Sequence, residues 1–121
     1  MKLRLQGNSL RLRLTRSEVA RLHEHGVVEE TTAFGADQRL TYRVRKYAAS
    51  DGVQADLRNG IITVHLPAGA VESWAASDEV GLYSQEGPVR IAVEKDFRCL
   101  TRSKEEEGPD AYPHPAEQLS S

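Results

Sequence analysis

The chain has 121 residues, of which 39% are hydrophobic and 28% are charged, and its formal net charge is −2. This length favours one domain with a core of its own, and the composition is typical of a soluble globular protein. The small net charge excludes a global field that would attract nucleic acid or an anionic membrane.

The cysteine content and the apolar runs bear on the compartment. Cys99 is the only cysteine, so no internal disulfide can form, which suits a reducing cytoplasm. The N-terminus has no apolar stretch of signal-peptide length, and no apolar run approaches the length of a membrane span. We therefore expect a cytoplasmic protein that makes no contact with a membrane.

Residues 2–14 predict a β-hairpin whose two faces differ in chemistry. Leucine alternates with polar residues on both sides of Gly7-Asn8, and glycine accepts the positive φ that two-residue hairpin turns need. The resulting register places leucine opposite leucine on one face and cation opposite cation on the other. The expected pairs are Leu3 with Leu12, Leu5 with Leu10, Lys2 with Arg13, Arg4 with Arg11, and Gln6 with Ser9.

A helix and further strands follow this hairpin. Residues 15–18, Thr-Arg-Ser-Glu, have the pattern of a capping box, which predicts a helix that runs to about His25 and stops at Gly26. The later elements are strands over 27–34 and 39–47, a hairpin about Asn59-Gly60, a helix over 67–77, and strands over 79–85 and 88–96.

These elements form two similar halves. Adding 52 to the residue number lays Gly7-Asn8 on Asn59-Gly60, and it lays Val19 and Leu22 on Val71 and Trp74. Each half reads hairpin, helix, strand, strand. Duplication of one unit explains this agreement, and so does the chance recurrence of a common arrangement.

The predicted fold class is α+β in a single domain over residues 1–100. It has about eight short antiparallel strands, from a doubled hairpin-helix-strand-strand unit, with two helices on the leucine face. The sheet either stays open or curls into a small barrel. Residues 101–121 are rich in Glu, Pro, Ser and Gly, and we expect a polar tail without regular structure.

Arginine recurs on the polar faces of the predicted strands. Its guanidinium group is planar and permanently charged, and it matches the geometry of phosphate and carboxylate. If the strands share one sheet face, these side chains form a surface for an anionic or phosphorylated ligand. The candidate anion-binding residues are Arg4, Arg11, Arg13, Arg39, Arg43, Arg45 and Arg90.

The plainer interpretation is a solvated face that is partly neutralised by Glu29 or Glu94 from neighbouring strands. Like charges opposite each other cost up to ~1 kcal/mol per pair, whereas burial of each of the five leucines returns roughly 1.5–3 kcal/mol. The hairpin therefore forms without any ligand. Aromatic stacking platforms are lacking, because Trp74 lies on a helix and Tyr42 on the apolar side, so nucleic acid is a disfavoured partner.

No catalytic or metal-binding signature accompanies these arginines, and we expect no catalytic residue, metal or cofactor. The sequence has no phosphate loop, dinucleotide fingerprint, zinc spacing or serine triad. Cys99, Asp110 and His114 have the residue types of a thiol nucleophile or a metal site, but a lone cysteine at a strand end is more often packed. His23 and His25 diverge on a helix and do not share a metal.

The sequence resembles a family of small uncharacterised bacterial proteins, a domain of unknown function. The resemblance is carried by "MKLRLQGNSLRLRLTRSEVARL", "VEETTAFG", "RLTY" and "VEKDFRCL". It covers nearly the full chain and implies relatedness and a bacterial origin, and it brings no activity with it.

The topology of the doubled unit also resembles the triphosphate tunnel (CYTH) barrels over residues 2–96. That resemblance implies eight strands closed around a channel lined by charged side chains. Those enzymes carry Glu-x-Glu-x-Lys on their first strand to hold a divalent metal, whereas residues 2–6 here read Lys-Leu-Arg-Leu-Gln.

Three functions follow from these observations. The leading hypothesis is a non-enzymatic binding domain whose arginine-rich face holds an anionic or phosphorylated ligand. The alternative is a protein–protein interaction or structural module that uses an edge strand or the acidic tail. A phosphohydrolase-like enzyme of the tunnel-barrel type ranks last.

Overall fold

The computed structural model describes residues 1–49 and 51–97, and it has the predicted α+β fold. The elements are β1 (Lys2–Gln6), β2 (Ser9–Leu14), α1 (Arg16–His25), β3 (Val27–Ala33), β4 (Arg39–Tyr47), β5 (Gln54–Arg58), β6 (Ile61–Pro67), α2 (Ala68–Ala75), β7 (Gly81–Ser84) and β8 (Arg90–Lys95). Neither of the two described helices is long and apolar enough to cross a membrane. The expected tail over residues 101–121, which contains Asp110 and His114, lies outside the described residues, and so does Cys99.

The strands form two four-stranded sheets. The first sheet has the order β1-β2-β8-β7, and the second sheet has the order β3-β4-β6-β5. In each sheet two antiparallel hairpins meet at a central parallel pair, which is β2 with β8 or β4 with β6. The sequence predicts antiparallel strands throughout, because polar–apolar alternation has the same period in both kinds of pairing.

Both sheets are open, so the small barrel is not the form observed. Each sheet of the described residues ends in two edge strands, which are β1 and β7 in the first and β3 and β5 in the second. The closed channel implied by the tunnel-barrel resemblance is therefore absent from this part of the chain. The two sheets face a common core instead.

The doubled unit is visible in the topology. The first unit is β1-β2-α1-β3-β4 and the second is β5-β6-α2-β7-β8, and each unit gives its first hairpin to one sheet and its last two strands to the other. Replacing each strand by its counterpart converts the order of one sheet into that of the other. The register agrees, since Leu3 faces Leu12 in the first hairpin and Ala55 faces Val64 in its counterpart.

The two hairpin turns differ in backbone conformation, and the difference follows from their residues. Gly7 has a φ of 55°, whereas at the second turn both Asn59 and Gly60 are left-handed, with φ values of 52° and 77°. Two consecutive positive φ values are characteristic of a type I′ turn, for which Asn-Gly is the favoured sequence. A Cβ atom at Gly60 would lie 2.8 Å from the carbonyl oxygen of Arg39, so glycine also permits this turn to approach β4 closely.

Helix α1 begins and ends where the sequence predicts. The Thr15 hydroxyl accepts the Glu18 amide at 3.3 Å, and Glu18 Oε1 accepts the Thr15 amide at 2.9 Å, which completes the capping box. At the other end, Gly26 has a φ of 89° and its amide donates to the Leu22 carbonyl. Glu18 Oε2 also accepts the Met1 amino group at 2.7 Å, which ties the start of β1 to this helix.

One hydrophobic core serves both sheets and both helices. Leu12, Val64 and their neighbours on the central strands pack with the apolar residues of α1 and α2, so the helices lie on the leucine face as predicted. Trp74 of α2 is fully buried, and its indole nitrogen donates to the Val80 carbonyl at 3.1 Å. The single polar atom of the largest core side chain is therefore satisfied.

The leucine face is not buried along its whole length. Leu10, Leu12 and Leu14 are buried, but Leu5 is 59% exposed. Leu57, its counterpart in the second unit, is 67% exposed. Both lie on edge strands beside a hairpin turn, where no further strand of residues 1–49 and 51–97 covers them. The prediction that all five leucines are buried is wrong for Leu5.

We expect Leu12→Ala to lower the free energy of unfolding by about 2–5 kcal/mol, because it removes a fully buried side chain and leaves a cavity. The matched control is Leu5→Ala, which should cost less than about 1 kcal/mol because Leu5 is mostly hydrated already. Urea unfolding followed by the fluorescence of Trp74 measures both. Equal losses would contradict this burial pattern.

The Met1 amino group and Glu18 form an ion pair whose effect depends on pH. Burial alone would lower the pKa of the amino group, but the hydrogen bond and charge of Glu18, with Glu30, raise it above 8.0. Burial alone would raise the pKa of Glu18, but the amino group and the Thr15 amide lower it below 4.5. The contribution of Glu18 is therefore lost as pH falls through its folded-state pKa, and that of the amino group as pH rises through its own.

Glu18→Gln should reveal this window in a chain whose Met1 amino group is free. Glutamine retains a capping-box acceptor but removes the charge, so we expect a loss of roughly 1–3 kcal/mol near neutral pH. The difference from the wild type should shrink below pH 4.5 and above pH 8.0. Urea unfolding across pH measures it, with exposed Glu24→Gln on the same helix as the control. A difference that does not vary with pH would rule out the ion pair as its cause.

Candidate anion-binding surface

The structure divides the seven candidate arginines between the outer faces of the two sheets. Arg4, Arg11, Arg13 and Arg90 lie on β1, β2 and β8 of the first sheet, and Arg39, Arg43 and Arg45 lie on β4 of the second. The condition for one common surface, that all seven arginines share a sheet face, is therefore not met. Each unit sends its two pairs of strands to different sheets, and the alternation of residues within a strand does not reveal this.

Two of the three candidate arginines of the second sheet, Arg43 and Arg45, have partners on their own face. Arg43 Nε donates to Glu29 Oε1 at 2.8 Å. The Arg45 guanidinium lies 4.7 Å from the centre of the Tyr47 ring, within the range of a cation–π contact. The cross-strand row of Arg43 also includes Asp56. At Arg43 this face matches the plainer interpretation of a partly neutralised surface, with Glu29 in the predicted role.

Glu94 neutralises part of the first sheet. Its Oε1 lies 3.5 Å from Arg11 Nε and 3.6 Å from Arg13 Nε. Its Oε2 accepts the Tyr83 hydroxyl at 2.9 Å. One carboxylate therefore serves two guanidinium groups, and positive charge remains in excess around it.

Beyond Glu94, towards the Gly7-Asn8 turn, the outer face opens into a shallow groove of about 310 Å³. We call it the arginine groove. Its polar and aromatic lining residues are Arg4, Arg11, Arg90, Gln6, Ser9, Tyr83, Ser84 and Gln85. No carboxylate stands among the described residues that line it.

Strand register explains the shape of this groove. One row across the sheet runs Arg4, Arg11, Ala92, Tyr83, so the small Ala92 forms a low floor between two long side chains. In the next row Ser9 lies beside Arg90. Neighbouring strands are about 4.8 Å apart, so the three arginines of the groove arise within three adjacent strands.

Backbone contacts hold Arg90 in this row. Its amide donates to the Asn8 carbonyl at 2.9 Å, and the Asn8 side-chain amide donates to the Pro88 carbonyl at 2.8 Å. The hairpin turn of β1 and β2 is thereby fixed to the start of β8. Residues from the two ends of the described chain are brought into one site in this way.

Sequence reasoning missed Tyr83. Trp74 lies in the core and the partly buried Tyr42 packs against it, on the apolar side as predicted, whereas Tyr83 points outward on an edge strand and is 53% exposed. A signal was present in the alternation of β7, where Tyr83 follows the buried Leu82. The strand was too short for that alternation to stand out.

Metal chemistry has no support in the described part of the chain. Across residues 1–49 and 51–97, no three His, Cys, Asp or Glu side chains gather closely enough to hold a metal ion. His65 Nε2 instead lies 3.0 Å from Asp56 Oδ2, and its Nδ1 is buried without a hydrogen-bond partner.

A sequence model of a protein family matches residues 1–116. The chain belongs to DUF7009, a family of unknown function. Neither a curated protein nor a solved structure matches this chain significantly. None of the comparisons supports the tunnel-barrel resemblance. Membership in DUF7009 confirms the relatedness predicted from the opening motif, while it supplies no ligand or reaction for the groove.

The contact between Tyr83 and Glu94 predicts a change in the pKa of the tyrosine. Burial raises the pKa of Tyr83 above 10.0, the hydrogen bond and charge of Glu94 raise it further, and Arg11 opposes them. Glu94→Gln removes the charge and weakens the bond, so the pKa of Tyr83 should fall towards 10.0. An NMR titration with ¹³C-labelled tyrosine measures it. Glu29→Gln on the second sheet should leave Tyr83 unchanged, and an unchanged pKa in Glu94→Gln would contradict the contact.

Proposed function

We propose that this DUF7009 chain is a non-enzymatic binding protein that holds a small phosphate-bearing ligand in the arginine groove. The observation that carries the proposal is that Arg4, Arg11 and Arg90 line one groove without a carboxylate among its described lining residues. Guanidinium groups bind phosphate oxygens through paired, charge-assisted hydrogen bonds, which makes a cluster of three a suitable cradle for such a group.

Arg11 retains binding capacity despite its contact with Glu94. The distance of 3.5 Å from Arg11 Nε to the carboxylate exceeds the roughly 2.7–2.9 Å of a strong charge-assisted hydrogen bond. The contact also engages one of the five N–H donors of the guanidinium group. A phosphate oxygen offers Arg11 a better acceptor than the one it has.

The second sheet supports the choice of groove by contrast. Arg43 is satisfied at 2.8 Å by Glu29, and Arg45 lies over Tyr47, so a ligand would have to displace existing contacts there. The proposal thus narrows the seven candidates to three, with Arg13 at the margin of the site beside Glu94.

A protein-interaction module is the second candidate. Leu5 and Leu57 are exposed at equivalent positions on the edge strands β1 and β5. An edge strand with exposed apolar side chains is a surface on which another chain can add a strand. A protein partner that stays bound when the arginines of the groove are replaced would favour this candidate.

A bacterial origin and a cytoplasmic location are also part of the proposal. The resemblance of the opening motif to bacterial proteins supports a bacterial origin. A single cysteine in the whole sequence supports a cytoplasmic location, where thiols stay reduced.

The test compares two triple variants that each remove three positive charges. Arg4→Gln, Arg11→Gln and Arg90→Gln together remove the cluster of the groove, and Arg39→Gln, Arg43→Gln and Arg45→Gln remove the arginines of the second sheet. Calorimetry with tripolyphosphate at low salt measures binding. We expect the first variant to bind at least about tenfold more weakly and the second to stay within about threefold of the wild type.

Salt and folding provide the controls. The affinity of the wild type should fall as salt rises, because the proposed contacts are between charges. Circular dichroism of both variants checks that the fold is kept. The proposal fails if the wild type binds no polyphosphate, or if both variants lose affinity equally.

A further inference from the structure

Among the described residues, Tyr83 is the one aromatic residue that lines the arginine groove. It lies on the edge strand β7, two strands from Arg11 in the same cross-strand row, with Ala92 between them. Because the Ala92 side chain is a single methyl group, it fills little of the space between Tyr83 and Arg11 within that row, and Glu94 of the next row bridges the Tyr83 hydroxyl and Arg11 Nε. The ring is 53% exposed and borders the same space as the three arginines.

The tyrosine ring is held in a fixed orientation. Its hydroxyl donates to Glu94 Oε2 at 2.9 Å. A Cβ atom at Gly81 would lie 2.9 Å from that hydroxyl oxygen and 2.6 Å from the Val93 carbonyl oxygen. The hydroxyl end of Tyr83 therefore occupies the space that a side chain at position 81 would fill. The ring lies along the outer face of the sheet over Gly81.

This arrangement makes a platform. An aromatic ring that is anchored at its polar end loses little side-chain freedom when a second ring stacks on it, so stacking there costs little entropy. Stacking is tolerant of the identity of the base, since every base has a π face. The neighbouring arginines supply the complementary charge at the other end of the groove.

We propose that the ligand of the arginine groove is a phosphate ester that carries a planar ring, with the ring stacked on Tyr83 and the phosphate held by Arg4, Arg11 and Arg90. A nucleoside monophosphate is the simplest member of this class. The inference rests on the proposed function, and it narrows the ligand from any phosphate-bearing molecule to one with an aromatic end. Two strand spacings, about 10 Å, separate the Tyr83 and Arg11 backbones, a gap that a long arginine side chain and such a ligand together bridge.

The test uses two sugar phosphates, of which one carries an adenine base on the ribose and the other does not. Adenosine 5′-monophosphate and ribose 5-phosphate share a sugar and a phosphate, and calorimetry gives the affinity of each. We expect the wild type to bind the nucleotide about tenfold more tightly. In Tyr83→Leu the two ligands should bind equally, while the affinity for ribose 5-phosphate stays that of the wild type.

Two further variants isolate the ring. Tyr83→Phe keeps the ring and removes the bond to Glu94, and it should retain a preference for the nucleotide. Tyr47→Leu is the matched control, because Tyr47 is 41% exposed on the second sheet and already contacts Arg45. It should behave as the wild type does.

The outcomes separate this inference from the proposed function. If the wild type binds both ligands equally, the ring has no role and the groove is a phosphate site alone. A preference for the nucleotide that persists in Tyr83→Leu would also overturn the inference, because the ring would then bind elsewhere. If neither ligand nor tripolyphosphate binds, the proposed function itself fails.

Discussion

The parallel pairing of β2 with β8 is the contact on which the candidate site depends. It joins the first hairpin of the chain to the last one described, with Leu12 opposite Val93 at the centre, both fully buried. The same pairing sets Arg11 beside Ala92 and Arg90 beside Ser9 on the outer face. Because side chains alternate between faces along a strand, the register that buries the leucines also assembles the groove. Core packing and the site are consequences of one alignment.

The second sheet has the same backbone arrangement as the first but carries different side chains at the equivalent positions. The counterparts of Arg4, Arg11 and Arg13 in the second unit are Asp56, Thr63 and His65, at cross-strand positions that match residue for residue. One half of the repeat thus carries clustered cations, and the other carries an aspartate–histidine contact. The groove is a property of the side chains that the first hairpin carries, and the fold supplies only their frame. This contrast is why the second sheet is a fair internal control for the first.

Local features of the fold could be predicted from the sequence, and non-local ones could not. The Gly7-Asn8 register, the capping box at Thr15 and the helix end at Gly26 are each decided within a few residues, and all are confirmed. The pairing of β2 with β8 joins segments far apart in the chain, and the alternation within a strand says nothing about its partner or direction. The sequence alone therefore leaves open whether the seven arginines share one face, and the structure divides them between two. Leu5 was assigned to the core for a related reason, since its exposure follows from its place on an edge strand.

Glu94 sets the electrostatic environment of the arginine groove. Without it, Arg11 and Arg13 would face Arg4 and Lys2 across the hairpin without their own acidic partner, and the ion pair of Lys2 with Asp96 would offset the repulsion at one of these positions. With it, both guanidinium groups and the Tyr83 hydroxyl converge on one carboxylate at the rim of the groove. The same negative charge lies close to the place where a phosphate would bind, so it weakens the attraction for any anion as it orients the groups that bind it. A bare anion then gains least at this site. A ligand that adds stacking on Tyr83 would gain a contact that the charge of Glu94 does not oppose, and this is the physical reason for proposing a ligand with a ring as well as a charge.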